Sequence, residues 1–465
     1  MHTFISSAMH TPHVLVIGGG FAGVAAAATL RAGGMSVTLL DDRRTLGGRA
    51  RSDDLGGIMV DTGAQFAALS FVRAMRLLGP APTTSAPAAT PRADAIPAAL
   101  HPTPGRDRVL YDGDAYSVQY GSVRSLLGFG ALGPVEKMKL GASLLPLLGR
   151  YRWELDASAE RLSASLDRES ARAFMSSRVG EHSADLLVEP LLNGFYAMHG
   201  SEASMAFFLT LGRYGMDSTL LAPHAGWSAV LVAALRGAAH VGEARVITLE
   251  HAEDGSLCAR AADGREWHGD AAVIATGPRT ARMLLGSLCT VADPLLAWLD
   301  GVEMRQSWTL ALLLDTPLAR EAFGVFQDAR VARDVSACGI YGTKLGRAAP
   351  LDRDVLLAWP TPDATQRLAG QPSQAITSAM MPEIERMVPA VVGHITHARL
   401  YRFDEGTPVA RPGFAADRAR GRALADALEA PVALAGDYLA TPLIEGAIAS
   451  GERAAATLRA RLARG

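Results

Sequence analysis

The chain has 465 residues, 49% of them apolar, and a formal charge of −2. That length exceeds one ordinary core and implies two or three folding units. A near-neutral balance offers no electrostatic footprint for nucleic acid, so no nucleic-acid partner is expected.

Arg supplies nearly all the positive charge, since only Lys137, Lys139 and Lys344 are lysines. Cys258, Cys289 and Cys338 stand singly, with no C-x-x-C spacing and no even set to pair. They read as reduced thiols of a cytoplasmic chain. Residues 1–13 lack a basic start followed by an apolar run, so they do not read as a signal peptide. No stretch reaches the roughly 18 uninterrupted apolar residues that a spanning helix needs.

Residues 14–17 are a short apolar run before glycines, and residues 21–31 are Ala-rich, ending at Gly33-Gly34. Residues 37–40 then predict a second buried strand ending in Asp41-Asp42, which completes a βαβ unit. Gly18-x-Gly20-x-x-Gly23 occupies its strand-to-helix turn. Gly18 permits the tight turn, Gly20 lets backbone approach a pyrophosphate, and Gly23 lets helix and strand pack closely. The helix opens at Phe21 and Ala22, whose end of the helix presents free N–H groups to an anion. Asp41, with Asp42 beside it, sits where an acid accepts the hydroxyls of a ribose without a 2′-phosphate.

Gly47-Gly48-Arg49 and Asp61-Thr-Gly63-Ala64-Gln65 follow. A domain for NAD needs no second glycine pair just after its ribose acid, whereas a loop running beside a longer ligand does. Arg49 can neutralise a phosphate or a reduced flavin ring. These segments move the expected cofactor to FAD.

Residues 79–108 are rich in Pro, Ala and Thr and predict a surface loop. A hairpin is expected over 109–120, around Asp112-Gly113-Asp114, and helices over 122–215. Within them, residues 125–153 are apolar but interrupted by Pro134, Glu136, Lys137 and Lys139. That pattern suits helices lying on a membrane surface, helices lining an apolar cavity, or ordinary helices of a second domain.

Next come a helix over 227–235, a strand over 245–249 and a three-stranded meander ending in 270–277. Residues 309–314, 355–359 and 395–403 are β-rich and predict a second sheet. His394 and His397 lie three apart in a strand-like run, which points them to opposite faces, so no metal site is expected. No G-x-S-x-G elbow supports nucleophilic hydrolysis.

At the end, residues 432–434 run as a strand into Gly436-Asp437, and a last helix begins at Ile444-Glu-Gly446-Ala447. A helix N-terminus aimed at the N1/O2 edge of a flavin stabilises the negative charge of the reduced ring. Asp437 is placed to bond ribityl hydroxyls or the backbone around the pyrophosphate.

The order VIGGGFAG, GGRAR, DTGAQF, DAAVIATGP and a terminal AGDY with IEGAIASGERAA resembles the FAD-dependent amine oxidase, protoporphyrinogen oxidase and phytoene desaturase superfamily. The likeness spans nearly the whole chain. It implies an α/β fold with a discontinuous Rossmann-like (GR2-type) FAD-binding domain over 1–78, 216–290 and 406–465. A mixed-sheet substrate domain over 109–215, with a helical subdomain, and 291–405 would complete it, the 79–108 loop lying between. The family's cofactor positions fall on Gly18, Gly20, Gly23, Asp41, Arg49, Val246 beside the adenine, Gly436, Asp437 and Ala447. The glycine and arginine positions are intact, which counts against an escort protein that has lost flavin chemistry.

Arg108, in Arg108-Val-Leu-Tyr-Asp-Gly-Asp, resembles the protoporphyrinogen oxidase residue that pairs with a substrate carboxylate. Tyr196 closes a similar Pro…Gly-x-Tyr segment. The amine-oxidase lysine would fall about Thr309 and the aromatic-cage position about Leu443, and neither matches, which counts against an amine. The terminal Gly-Asp-Tyr form is nearer the desaturases. The resemblance therefore implies an FAD-dependent oxidoreductase that dehydrogenates a hydrophobic conjugated or polycyclic substrate by hydride transfer to flavin N5, with oxygen or a quinone as acceptor. An amine oxidase-type flavoenzyme and a non-redox FAD-dependent isomerase are the alternatives. No catalytic acid or base is assigned, since the cofactor carries the bond breaking.

Overall fold

The computed structural model describes residues 11–80, 96–216, 218–290 and 293–464. Residues 1–10 of the leader, and 81–95 of the expected Pro/Ala-rich loop, lie outside the described residues.

Val14, Leu15, Val16 and Ile17 are buried on both faces, as a central parallel strand requires. Strand His13–Ile17 is the middle of a five-stranded parallel sheet ordered Ala239–Val241, Ser36–Leu40, His13–Ile17, Ala271–Ile274 and Val432–Leu434. Helices Phe21–Ala32 and Ile444–Leu462 pack against each other over one face. Small residues make that approach close: a side chain at Gly451 would meet the carbonyl oxygen of Ala22 at 2.1 Å. The opposite face is covered by an antiparallel meander of Val246–His251, Leu257–Ala261 and Glu266–Gly269. The first and last parts of the chain thus share one core.

A second, mixed sheet has seven strands in the order Ile395–Pro408, Met304–Leu314, Asp354–Pro360, Val335–Ile340, Gly324–Phe326, Asp107–Tyr111 and Asp114–Val118. Only the pairing of Gly324–Phe326 with Asp107–Tyr111 is parallel. Helix Ser373–Met387 covers one side through Ile376, Met380 and Ile384. The expected α/β fold, with a discontinuous Rossmann-like sheet, a second mixed sheet and a helical region between, is what the chain adopts.

Three local expectations are corrected. The loop expected to reach 108 ends earlier, because Leu100–Pro102 pairs with Leu220–Pro223 and Asp107 already opens the hairpin. The third meander strand is Glu266–Gly269, and the all-apolar Ala271–Ile274 crosses into the parallel sheet, where both of its faces are buried. His394 precedes strand Ile395–Pro408 instead of lying in it, with Nδ1 2.8 Å from Asp315.

Helices Val123–Gly128 and Pro134–Arg150 are only partly absorbed by the core: the first buries no residue completely and the second only Leu140 and Leu148. Leu127 and Trp153 are 65% and 67% exposed. No helix among the described residues is long and apolar enough to cross a membrane.

Candidate functional site

One cavity of about 1230 Å³ runs from the first glycine turn to the helices of residues 123–150. Its first part is built by strand ends of the parallel sheet, because parallel strands deliver their carboxyl ends to a common edge. Gly18 takes φ +109°, and a side chain there would strike the carbonyl oxygen of Ala275 at 2.7 Å. Gly20 and Gly48 face each other across the cavity mouth: a Cβ on Gly20 would meet nothing closer than the Gly47 carbonyl at 3.9 Å, and one on Gly48 nothing closer than Gly20 Cα at 3.5 Å. Any longer side chain at either position would fill this cradle.

Helix Phe21–Ala32 opens on the cradle with no side-chain cap and no acid in its first turn. Its free N–H groups and dipole are thus left for an external anion. Helix Ile444–Leu462 also begins at the cavity uncapped by a side chain. Its Glu445 turns away, accepting the backbone N–H groups of Arg73 and Ala74 at 2.9 and 3.0 Å. Burial pushes that carboxyl up to about 7.

Asp41 accepts the N–H of Gly19 at 2.6 Å and of Arg43 at 2.8 Å. Burial outweighs these bonds and raises its carboxyl to about 6. Arg49 donates to both oxygens of Asp437, at 2.9 and 2.6 Å, and to the carbonyl of Gly406 at 2.9 Å. Gln65 donates from Nε2 to the carbonyls of Asp61 and Gly63, both at 2.8 Å.

Of the residues singled out from the sequence, the cavity brings together Gly18, Gly20, Phe21, Ala22, Asp41, Asp42, Gly48, Arg49, Gly63, Ala64, Gln65, Tyr196, Val246, Gly436, Asp437, Ile444 and Ala447. Three do not reach it. Gly23 lies under the turn, where a Cβ would sit 1.8 Å from the carbonyl oxygen of Gly18, so it serves packing. Gly446 packs in the same way against the Thr441 and Ala157 carbonyls. Arg108 is placed on the outer face of its strand and pairs with exposed Glu321.

The Arg108 correction is one of strand register. Along Asp107–Tyr111 the buried positions are 107, 109 and 111, so alternation sends 108 outward. Asp107 therefore faces the cavity where Arg108 was expected. The alternation of Val109 and Tyr111 was a signal available in the sequence.

Sequence reasoning also missed a buried group behind the Asp61–Gln65 loop. Lys344, 1% exposed, donates to Asp61 Oδ2 at 2.6 Å and to Gln65 Oε1 at 2.9 Å. Asp61 also accepts the Ser52 hydroxyl and the Trp227 N–H. No short motif links positions 61 and 344.

The far part of the cavity is apolar. Leu126, Leu140, Leu144 and Leu148 contribute from the 123–150 helices, facing Leu187, Leu191, Phe195 and Tyr196. One face of these helices thus lines a cavity while the other is exposed. Thr309 and Leu443 line the cavity, and the only lysine on its wall is Lys137, at the helical end. Among the described residues Cys258, Glu266 and His268 come together on the meander, outside this cavity, with Glu266 held by Arg260 at 2.8 Å.

Comparison with known proteins gives this geometry a context. The family model for flavin-containing amine oxidoreductases matches residues 21–459. A polyamine oxidase of Oryza sativa subsp. japonica, Polyamine oxidase 3, is 49% identical over 57 residues, which is 12% of each chain. The matched stretch thus spans about an eighth of that relative's length. Among solved structures, a protein of Exiguobacterium sp. 255-15 provisionally assigned as a protoporphyrinogen oxidase aligns over 98% of this chain and 100% of its own, with TM-score 0.70 and 18% identity. Cyclohexylamine oxidase from Brevibacterium oxydans IH-35A aligns over 98% and 100%, with TM-score 0.69 and 17% identity. At such identities the likeness speaks to fold.

Proposed function

This chain belongs to the flavin-containing amine oxidoreductase family and is an FAD-dependent oxidoreductase; within that frame we propose that it dehydrogenates a hydrophobic, conjugated or polycyclic substrate. The observation that carries this reading is the long apolar arm of the cavity, walled by leucines and aromatic rings and continuous with the glycine cradle.

The residues present fit the cofactor. Gly18, Gly20 and the start of helix Phe21–Ala32 would hold the pyrophosphate, and Asp41 with Val246 the adenosine. Gly48, Arg49, Gly63, Ala64, Gln65, Gly436, Asp437, Ile444 and Ala447 would hold the flavin side. The domain that carries them is assigned to residues 1–78, 216–290 and 406–465. Bound FAD supplies a two-electron acceptor at N5, with oxygen or a quinone as terminal acceptor. The chain's own work is to bind, to orient and to exclude water. The uncapped Ile444 helix end adds positive potential beside the assigned flavin position, where the Arg49 charge is offset by its Asp437 partner. Thr309 and Leu443 supply neither a lysine nor an aromatic ring at those two positions, which favours a carbon-centred substrate over an amine.

The exposed apolar side of the 123–150 helices, flanked by Arg124, Lys137 and Lys139, supports peripheral contact with a membrane surface in the same reading. Dehydrogenation of an amine is the second reading, favoured by the family and by the polyamine oxidase match.

The deciding experiment is anaerobic. The FAD-loaded protein is mixed with porphyrinogens, polyenes and amines, and bleaching of the flavin absorbance is followed. Fast bleaching by a porphyrinogen or polyene is expected. Fast bleaching by amines alone would replace this reading with the second, and a protein that holds no flavin after reconstitution would overturn both.

A further inference from the structure

The apolar arm contains one acid that the reading above does not use. Asp107 lines the cavity, and one of its oxygens accepts the Gly324 N–H at 2.8 Å. The other oxygen has no protein partner among the described residues. Two further polar atoms near this wall are unpartnered: the Tyr120 hydroxyl and Asn193 Oδ1, the latter on a residue only 8% exposed. Both residues line the same cavity.

These groups share one neighbourhood. Phe326 packs edge-on against Tyr120 at 5.6 Å and against Phe195 at 5.2 Å, and a Cβ on Gly194, the residue after Asn193, would meet its ring at 2.7 Å. Gly324, two residues before Phe326, is the residue bonded to Asp107, and a Cβ there would crowd its carboxylate at 2.6 Å. Phe323 in turn meets Phe66 of the Asp61–Phe66 loop at 4.6 Å. Asp107 therefore stands about one aromatic layer beyond the loop that reaches the assigned flavin position. Buried polar atoms are normally satisfied, and two left open on the wall that also carries the free oxygen of Asp107 mark where a ligand's polar group belongs.

We propose that Asp107, with Tyr120 and Asn193, is a polar anchor that selects, among apolar substrates, those carrying one hydrogen-bond donor at the end remote from the reacting bond. An otherwise apolar wall gives little discrimination among greasy molecules, whereas an unpaired buried acceptor penalises any ligand that offers it no donor. The donor is a protonated amine or a hydroxyl. This inference rests on the assignment of the apolar arm as the substrate site.

The test is equilibrium binding read by tryptophan fluorescence, since Trp308 and Trp359 line the cavity. It is run on the FAD-loaded protein in mildly alkaline buffer, where a carboxyl raised by burial to about 7 is ionised. The probes are decylamine, decanol, methyl decyl ether and methyl octyl ketone. Wild type should favour a donor-bearing probe over the ether by about tenfold or more, the order expected for a bond to a charged acceptor. Tighter binding of decylamine assigns the cation, and tighter binding of decanol the hydroxyl.

Asp107→Leu should erase the preference. Asp107→Asn, which can keep the bond from Gly324 while turning an amide N–H toward the cavity, should shift it toward the ketone. If wild type does not distinguish donors from the ether, or if both variants keep its selectivity, the proposal is wrong. Flavin bleaching is followed in parallel, so failure of the oxidoreductase reading is scored separately from failure of the anchor.

Discussion

Arg49 and Asp437, 388 positions apart, are joined by two hydrogen bonds of 2.9 and 2.6 Å in a fork on fork geometry. The pair ties the second glycine segment of the first domain part to the strand end before the last helix. By sequence each residue is a separate candidate ligand to the cofactor, and in the fold each also holds the other. Asp437→Ala should leave a guanidinium facing the cavity without its counter-ion. Because the Arg49 side chain is 36% exposed, the loss should stay at about 1–3 kcal/mol, below that of a fully buried pair. Arg49→Lys should not compensate, since an ammonium cannot make the fork. Thermal unfolding and the rate of flavin release would check both.

Gly20 and Gly18 should separate binding from folding. At Gly20, φ is −75° and a Cβ meets nothing closer than 3.9 Å, so Gly20→Ala should fold with unchanged melting temperature yet retain little flavin. Gly18→Ala meets positive φ and the Ala275 carbonyl together, and should cost about 1–3 kcal/mol before any ligand is added. The flavin-to-protein absorbance ratio beside a melting curve distinguishes the two outcomes.

Asp107 makes stability depend on pH. Burial raises its carboxyl to about 7, against the bond from Gly324, which lowers it. The folded state therefore holds a proton that the unfolded state releases near pH 4, so this group's contribution is most favourable below about pH 4 and is lost as pH rises to 7. Asp107→Asn should match wild type at the acidic end and exceed it at pH 8. Denaturant titrations of the flavin-free protein at several pH values would show the two curves separating between about pH 4 and 7, and parallel curves for the two proteins would refute it.

Lys344→Met should be among the most damaging single changes. It leaves Asp61 fully buried, with the Ser52 hydroxyl and the Trp227 N–H but no cation, a loss of about 3–5 kcal/mol. It also frees Gln65 Oε1 at the cavity wall. Paired replacement of Lys344 and Asp61 by apolar residues should be milder than the single change, which urea unfolding would reveal.

The exposed apolar face of residues 123–153 predicts binding to anionic vesicles. Leu127→Glu with Met138→Glu should release the protein from them without changing its melting temperature, because both side chains are about two-thirds exposed. Vesicle sedimentation is the measurement. Equal sedimentation of variant and wild type would show that this face does not contact lipid.

Local chemistry determined a good deal by itself. The turn at Gly18–Gly23, the acid at Asp41, the second glycine pair at Gly48 and the closing Gly436–Ala447 segment are short patterns in which neighbouring residues carry the meaning. They fixed the parallel sheet, the cofactor class and the family, and most elements fell within a few residues of their expected places. What the tertiary structure decided is which distant residues meet and which face each presents. The Arg49–Asp437 fork, the Lys344–Asp61–Gln65 group and the meeting of Asp107 with Gly324 join positions too far apart for any pattern to connect. The exchange of Arg108 for Asp107 has the same origin: strand register is set by the burial of Val109 and Tyr111 against the helices, and a shift of one residue moves a side chain from the cavity to the solvent.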